Sequence, residues 1–98
     1  MNNNVSRAFI LIELCGKETV NNEESKVFSS LNLLKVFTKE FGLSTSSFYN
    51  IITLLKAFGV LTVGVGDKVL SKPKYTYFQK QFPEEYNHAL KYLKGAKK

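Results

Sequence analysis

The sequence predicts an α+β domain: a three-helix core, a two-stranded hairpin after it and an extra C-terminal helix, all in one domain of residues 1–98. Two observations carry this. Apolar residues recur every three or four positions over 5–15, 30–41, 45–58 and 83–94, the spacing that gives a helix one apolar face. Between 60 and 78 the rhythm shifts to period two, with β-branched and aromatic residues around Gly and Pro, which reads as paired strands.

The first helix, 5–15, sets Val5, Ala8, Phe9, Ile12 and Cys15 on one side, but Ile10, Leu11 and Leu14 make the other side apolar too. A helix apolar nearly all round needs cover from several directions, part of which a partner subunit could supply. A β-strand over Ala8–Leu14 fits the same short apolar run. Lys17–Ser25 is polar and carries an Asn-Asn pair, so a surface loop is expected there. Val27-Phe28 forms a short extended piece or a staple onto the next helix.

The second helix, 30–41, places Leu31, Leu34, Phe37 and Phe41 inward, with Ser29 or Ser30 as its cap. Gly42-Leu43 makes a tight connection to the third, 45–58. There Phe48, Ile51, Ile52, Leu55 and Phe58 form the apolar stripe, Ser44 or Thr45 caps the start, and Gly59 closes the end. Its other face carries Thr45, Ser46, Tyr49, Asn50 and Thr53, hydrogen-bonding groups without formal charge. A solvated helix face is ordinarily rich in Glu and Lys, which favour helix. Groups that lower helix propensity here suit the edges of DNA bases: Asn can pair bidentately with adenine, and Ser and Thr meet several bases or phosphates. Two helices joined by a short glycine-containing turn, the second polar on its free face, form a helix-turn-helix pattern.

After Gly59, Val60–Val65 reads as one strand, Gly66-Asp67-Lys68 as a turn, and Val69–Ser71 with Tyr75–Phe78 as the return strand. Pro73 belongs in a loop or at an edge, since it cannot donate to a ladder. Lys68, Lys72 and Lys74 then lie near the hairpin tip, where they either reach phosphates or protect an exposed edge. Pro83-Glu84-Glu85 starts the last helix, and Tyr86, Ala89, Leu90 and Leu93 give it an apolar stripe for the first helix or a second subunit. His88 is expected to face solvent.

The net charge of +6 is uneven. Residues 1–43 hold five basic and five acidic groups, whereas 44–98 hold nine Lys against Asp67, Glu84 and Glu85. A surplus confined to the second half points to a polyanionic partner. Cys15 is the only cysteine, so no internal disulfide is available and a reducing interior is expected, with the thiol buried as a structural group. No run approaches the roughly 20 apolar residues of a membrane span, and Met1-Asn2-Asn3-Asn4 lacks a basic signal-peptide start; a cytoplasmic protein without membrane contact is expected. With one His, one Cys, no cluster at metal-ligand spacing and no phosphate-cradling glycine loop, no enzyme, catalytic residue, metal or cofactor is expected.

Helix, helix-turn-helix and two-stranded hairpin in this order, with Leu43-Ser44-Thr45-Ser46-Ser47-Phe48-Tyr49, Leu55, Gly59 and a basic hairpin, resemble the winged helix-turn-helix DNA-binding superfamily. The likeness is nearest to small winged-helix proteins of crenarchaeal viruses and plasmids and covers Leu31 to Phe78. MarR- and PadR-like members imply a homodimer joined by terminal helices that regulates transcription. Some archaeal plasmid relatives imply instead a centromere-binding, ParB-like partition protein that coats DNA and works with a ParA-like ATPase. One departure is that no Arg or Lys precedes Lys56 on the third helix, so arginine readout of guanine is missing there. The resemblance implies double-stranded DNA as partner, met by Ser44, Thr45, Ser46, Ser47, Tyr49, Asn50, Thr53, Lys56 and the wing lysines Lys68, Lys72 and Lys74. Two recognition helices about 34 Å apart would meet successive major grooves. The competing expectation is a winged-helix protein-interaction module whose polar helix docks another protein.

Overall fold

The computed structural model describes residues 2–15, 25–63 and 67–96. Its elements run α1 (Asn3–Cys15), β1 (Ser25–Ser29), α2 (Ser30–Phe41), α3 (Thr45–Ala57), β2 (Leu61–Val63), β3 (Asp67–Ser71), α4 (Lys72–Gln81) and α5 (Pro83–Ala96). The described residues form an α+β arrangement of five helices and one small antiparallel sheet. Apart from Ser25, the loop expected over Lys17–Ser25 lies outside the described residues, as do positions 64–66.

The apolar run of α1 is a helix throughout, which rules out the strand reading. Val5, Ala8, Phe9, Ile10, Leu11, Ile12 and Cys15 are all buried, on every side of the axis. The chain itself supplies this cover: α2, α3 and α5 all pack against α1. The helix needs no partner subunit to hide its second apolar side.

In α2 the Ser29 hydroxyl accepts from the Asn32 N–H at 3.4 Å, capping the start. Leu33 and Phe37, one turn apart, face the core, with Leu34 and Phe41 at its edge. Leu31, expected inward, is 61% exposed; two residues are about 200° of helix, so a face centred on Leu33 turns Leu31 to solvent. Gly42 ends the helix in the left-handed conformation (φ 62°) and donates to the Thr38 carbonyl at 2.9 Å. That conformation reverses the chain within two residues of the start of α3.

Ser44 caps α3, its hydroxyl accepting from the Ser47 N–H at 3.4 Å. Phe48, Ile51, Ile52 and Leu55 are buried, while Phe58 sits past the last turn and is partly exposed. At the other end the Gly59 N–H reaches the Lys56 carbonyl and the Val60 N–H the Leu55 carbonyl, both at 2.9 Å, with Gly59 at φ 74°. This paired closure is a Schellman motif, and it delivers the chain directly into β2.

The sheet has the order β1-β3-β2, all antiparallel, with Phe28 opposite Lys68 and Leu61 opposite Leu70. Phe28, Leu61 and Leu70 are buried beneath it. The extended alternative for Val27-Phe28 holds: it is part of β1, which adds a third strand to the expected two. The 60–78 hairpin is corrected in two ways: Asp67 and Lys68 lie inside β3 rather than in a turn, and Tyr75–Phe78 is helix, not strand. In α4 the Ser71 hydroxyl accepts from the Lys74 N–H at 3.4 Å, and Pro73 stands in the first turn, where a missing N–H costs nothing.

Aromatic packing drives that conversion. Tyr75 and Phe78, three residues apart, present their rings to Phe9 of α1 at 5.9 and 4.8 Å between centroids, and Phe78 also meets Phe58 and Phe82. A strand would send Tyr75 and Phe78 to opposite faces. The last helix, α5, packs along α1 with Ala89 buried and Tyr86 against Phe9 at 5.1 Å. It continues past Gly95 to Ala96. No described helix is long and apolar enough to cross a membrane.

Candidate nucleic-acid interface

The buried stripe of α3 fixes which way its other residues point. With Phe48, Ile51, Ile52 and Leu55 locked in the core, Thr45, Ser46, Tyr49, Asn50, Thr53 and Lys56 are turned outward, and all six are exposed. The side chains of Thr45, Ser46, Asn50 and Thr53 form no hydrogen bond with any other described residue. Their donors and acceptors stand open along about two and a half turns of helix. Tyr49 is 59% exposed, yet its ring rests edge-on against Phe48 at 5.4 Å, and Phe48 in turn meets Phe37. An aromatic anchored at one edge projects its hydroxyl outward from a fixed place.

Ser44 and Ser47 differ from this group. The Ser44 hydroxyl caps the helix and lies 3.4 Å from the Ser47 hydroxyl, so the two satisfy each other and the first turn. Both stand at the N-terminus of α3, Ser44 exposed and Ser47 half-buried.

The lysines are where the sequence reading departs most from the structure. Lys68 is half-buried within β3 and donates from Nζ to the Ser30 hydroxyl at 3.0 Å, against the start of α2. Lys72 and Lys74 open α4 and do not stand at a hairpin tip. The methylene stem of Lys74 runs over Gly59, its Cδ 3.7 Å from where a Cβ would stand. Lys74 thus joins Lys56 at the C-terminal end of α3, where positive charge complements the helix dipole. Among the described residues, the lysines of the second half are spread over α3, β3, α4 and α5, as Lys56, Lys68, Lys72, Lys74, Lys80, Lys91 and Lys94.

The arrangement presents an uncharged, hydrogen-bond-rich helix flank with Lys56 and the stem of Lys74 at its C-terminal end. Among the described residues no group of three His, Cys, Asp or Glu side chains is arranged to hold a metal ion. No protein-family model, curated protein or solved structure matches the chain.

Proposed function

We propose that the chain is a winged helix-turn-helix protein that reads double-stranded DNA with α3 in the major groove, acting as a homodimeric transcriptional regulator. The observation that carries the reading is the flank of α3: Thr45, Ser46, Asn50 and Thr53 are exposed without partners on a helix whose other side is locked into the core. The element order supports it, with a tight Gly42 turn between α2 and α3 and a β-hairpin directly after. Asn50 would pair with adenine, and Ser46, Tyr49 and Thr53 would meet neighbouring base edges. Lys56 and Lys74, at the end of the same helix, would contact phosphates, which position the protein without specifying sequence.

The test is a gel shift of genomic fragments with competitor DNA at physiological salt. Retention of a subset of fragments is the expected result; equal retention of all of them, or of none, contradicts sequence-specific reading. A footprint confined to a two-fold symmetric site supports a regulator, whereas protection spreading beyond one site favours a partition protein.

A further inference from the structure

We infer that two copies of the chain join edge to edge at β1, carrying the three-stranded sheet across a two-fold axis at Val27 into one of six strands. This names the surface of the homodimer in the function proposed above, and rests on that reading only in requiring a second copy. Among the described elements β1 pairs with β3 along one edge, and no strand pairs with the other. An open strand edge presents a row of backbone N–H and C=O groups that a further strand can complete.

The apolar surface left uncovered lies in the same place. Val27 and Leu31 are the large aliphatic side chains that stand exposed among the described residues, at 42% and 61%, one on each side of the β1–α2 junction. The terminal helices offer less. α1 is covered by α2, α3 and α5, and the Ser6 hydroxyl, 2.6 Å from His88 Nδ1, ties α5 to it. The outward residues of α5, Glu84, Asn87, His88, Lys91 and Lys94, are polar or charged. Residues 1–43, which contain β1, balance five basic against five acidic groups. Two copies meeting there do not oppose the cationic surplus held in 44–98.

The register of β1 is self-complementary. Phe28 is buried on the core side of the sheet, so Val27 stands on the outer face, in a cross-strand row with Val69 of β3 and Thr62 of β2. An antiparallel pair keeps the faces of the sheet continuous only when the two-fold axis passes through a residue. The axis through Val27 is the one that pairs all five residues of β1. It sets Val27 against Val27 of the partner subunit, Ser25 against the partner's Ser29 and Lys26 against the partner's Phe28. An axis through Lys26 would set lysine against lysine and leave two residues unpaired. A β-branched pair directly opposite on one face shields both side chains from water. At the spacing of paired strands, the two Val27 positions lie about 5 Å apart and the two Thr62 positions, five strand spacings apart, about 24 Å.

The experiment is sedimentation of the full chain without DNA, from micromolar to millimolar concentration, beside disulfide trapping of Val27→Cys and Thr62→Cys under mild oxidation. The wild-type chain is expected to sediment as a dimer at the upper concentrations. Val27→Lys sets two ammonium groups face to face at an exposed position, and should raise the dimer dissociation constant about fivefold or more with the far-ultraviolet circular dichroism unchanged. Val27→Cys should be trapped as a covalent dimer, since about 5 Å is within the reach of a disulfide. Thr62→Cys, and the wild-type chain with its buried Cys15, should stay untrapped. Trapping does not depend on the lysine variant folding. A chain monomeric at every concentration, a dimer that Val27→Lys leaves unchanged, or trapping of Thr62→Cys as readily as Val27→Cys would each overturn the interface. With no DNA present, these outcomes are separate from the reading of α3, whose failure would show in the gel shift with the dimer intact.

Discussion

Replacing Asn50 and Thr53 together by Ala separates a functional helix face from a structural one, because the two roles predict opposite signs. Both side chains are exposed, neither bonds to another described residue, and both lie in the interior of α3 away from its caps. Ala exceeds Asn and Thr in helix propensity by about 0.5–0.7 kcal/mol each, so the double variant should gain about 1 kcal/mol of stability. For a domain of this size that is a rise in melting temperature of about 4–8 °C. Loss of a bidentate Asn–adenine pair should meanwhile cost about 1–3 kcal/mol on a selected site, a five- to 150-fold weakening. Calorimetric melting and fluorescence anisotropy on selected and random duplexes read the two effects. A lower melting temperature would show that these groups hold the fold. Equal losses of affinity on both duplexes would remove base readout from the account.

Other perturbations probe the surrounding structure. The Tyr75 hydroxyl is buried without a hydrogen-bond partner, Gln79 lying near it without bonding geometry, so Tyr75→Phe should leave stability unchanged or raise it, by at most ~1–3 kcal/mol. Burial first, then the charge of Glu13, pushes the Tyr75 phenol well above the usual tyrosine value of 10.0, and Tyr86 and Tyr92 are raised as well. A phenol raised in the folded state gives stability that is complete below about pH 10 and is lost as the pH climbs further, so alkaline melts should steepen there, and less so in Tyr75→Phe. Gly42→Ala forces a side chain into the left-handed region with nothing else in its way, and should cost about 1–2 kcal/mol in denaturant titration. Lys56→Ala should weaken binding to all duplexes alike and reduce the salt slope by about one, whereas Lys68→Ala, whose ammonium is turned to Ser30, should leave the slope unchanged.

Much of the helical scaffold was legible because its signals are local. Serines sit at the starts of α2 and α3, Gly42 and Gly59 at their ends, and the stripe of α3 is unambiguous down to Leu55. The orientation of α2 was not, since Leu31, Leu33 and Leu34 offer two overlapping faces and only packing against α1 chooses Leu33. The failure over 72–81 has a clear cause. Tyr75-Thr76-Tyr77-Phe78 has the composition of a strand, but strand preference depends on what the side chains pack against, and here Phe9 and Phe58 take Phe78 from one helical face. Ser71 followed by Pro73, with Tyr75, Phe78 and Phe82 at helical spacing, was the overlooked sign of a helix start. That error carried Lys72 and Lys74 to a hairpin tip they do not occupy. The Ser6–His88 hydrogen bond was invisible beforehand, because it unites residues more than 80 positions apart.

Chemical-shift mapping of the isotope-labelled chain against a duplex selected from a random pool tests the DNA-reading surface most directly. The signals of Ser46, Tyr49, Asn50, Thr53 and Lys56 should move together and saturate with the duplex, and should move less on a scrambled one. Shifts centred on α4 and α5, with the α3 flank silent, would contradict it.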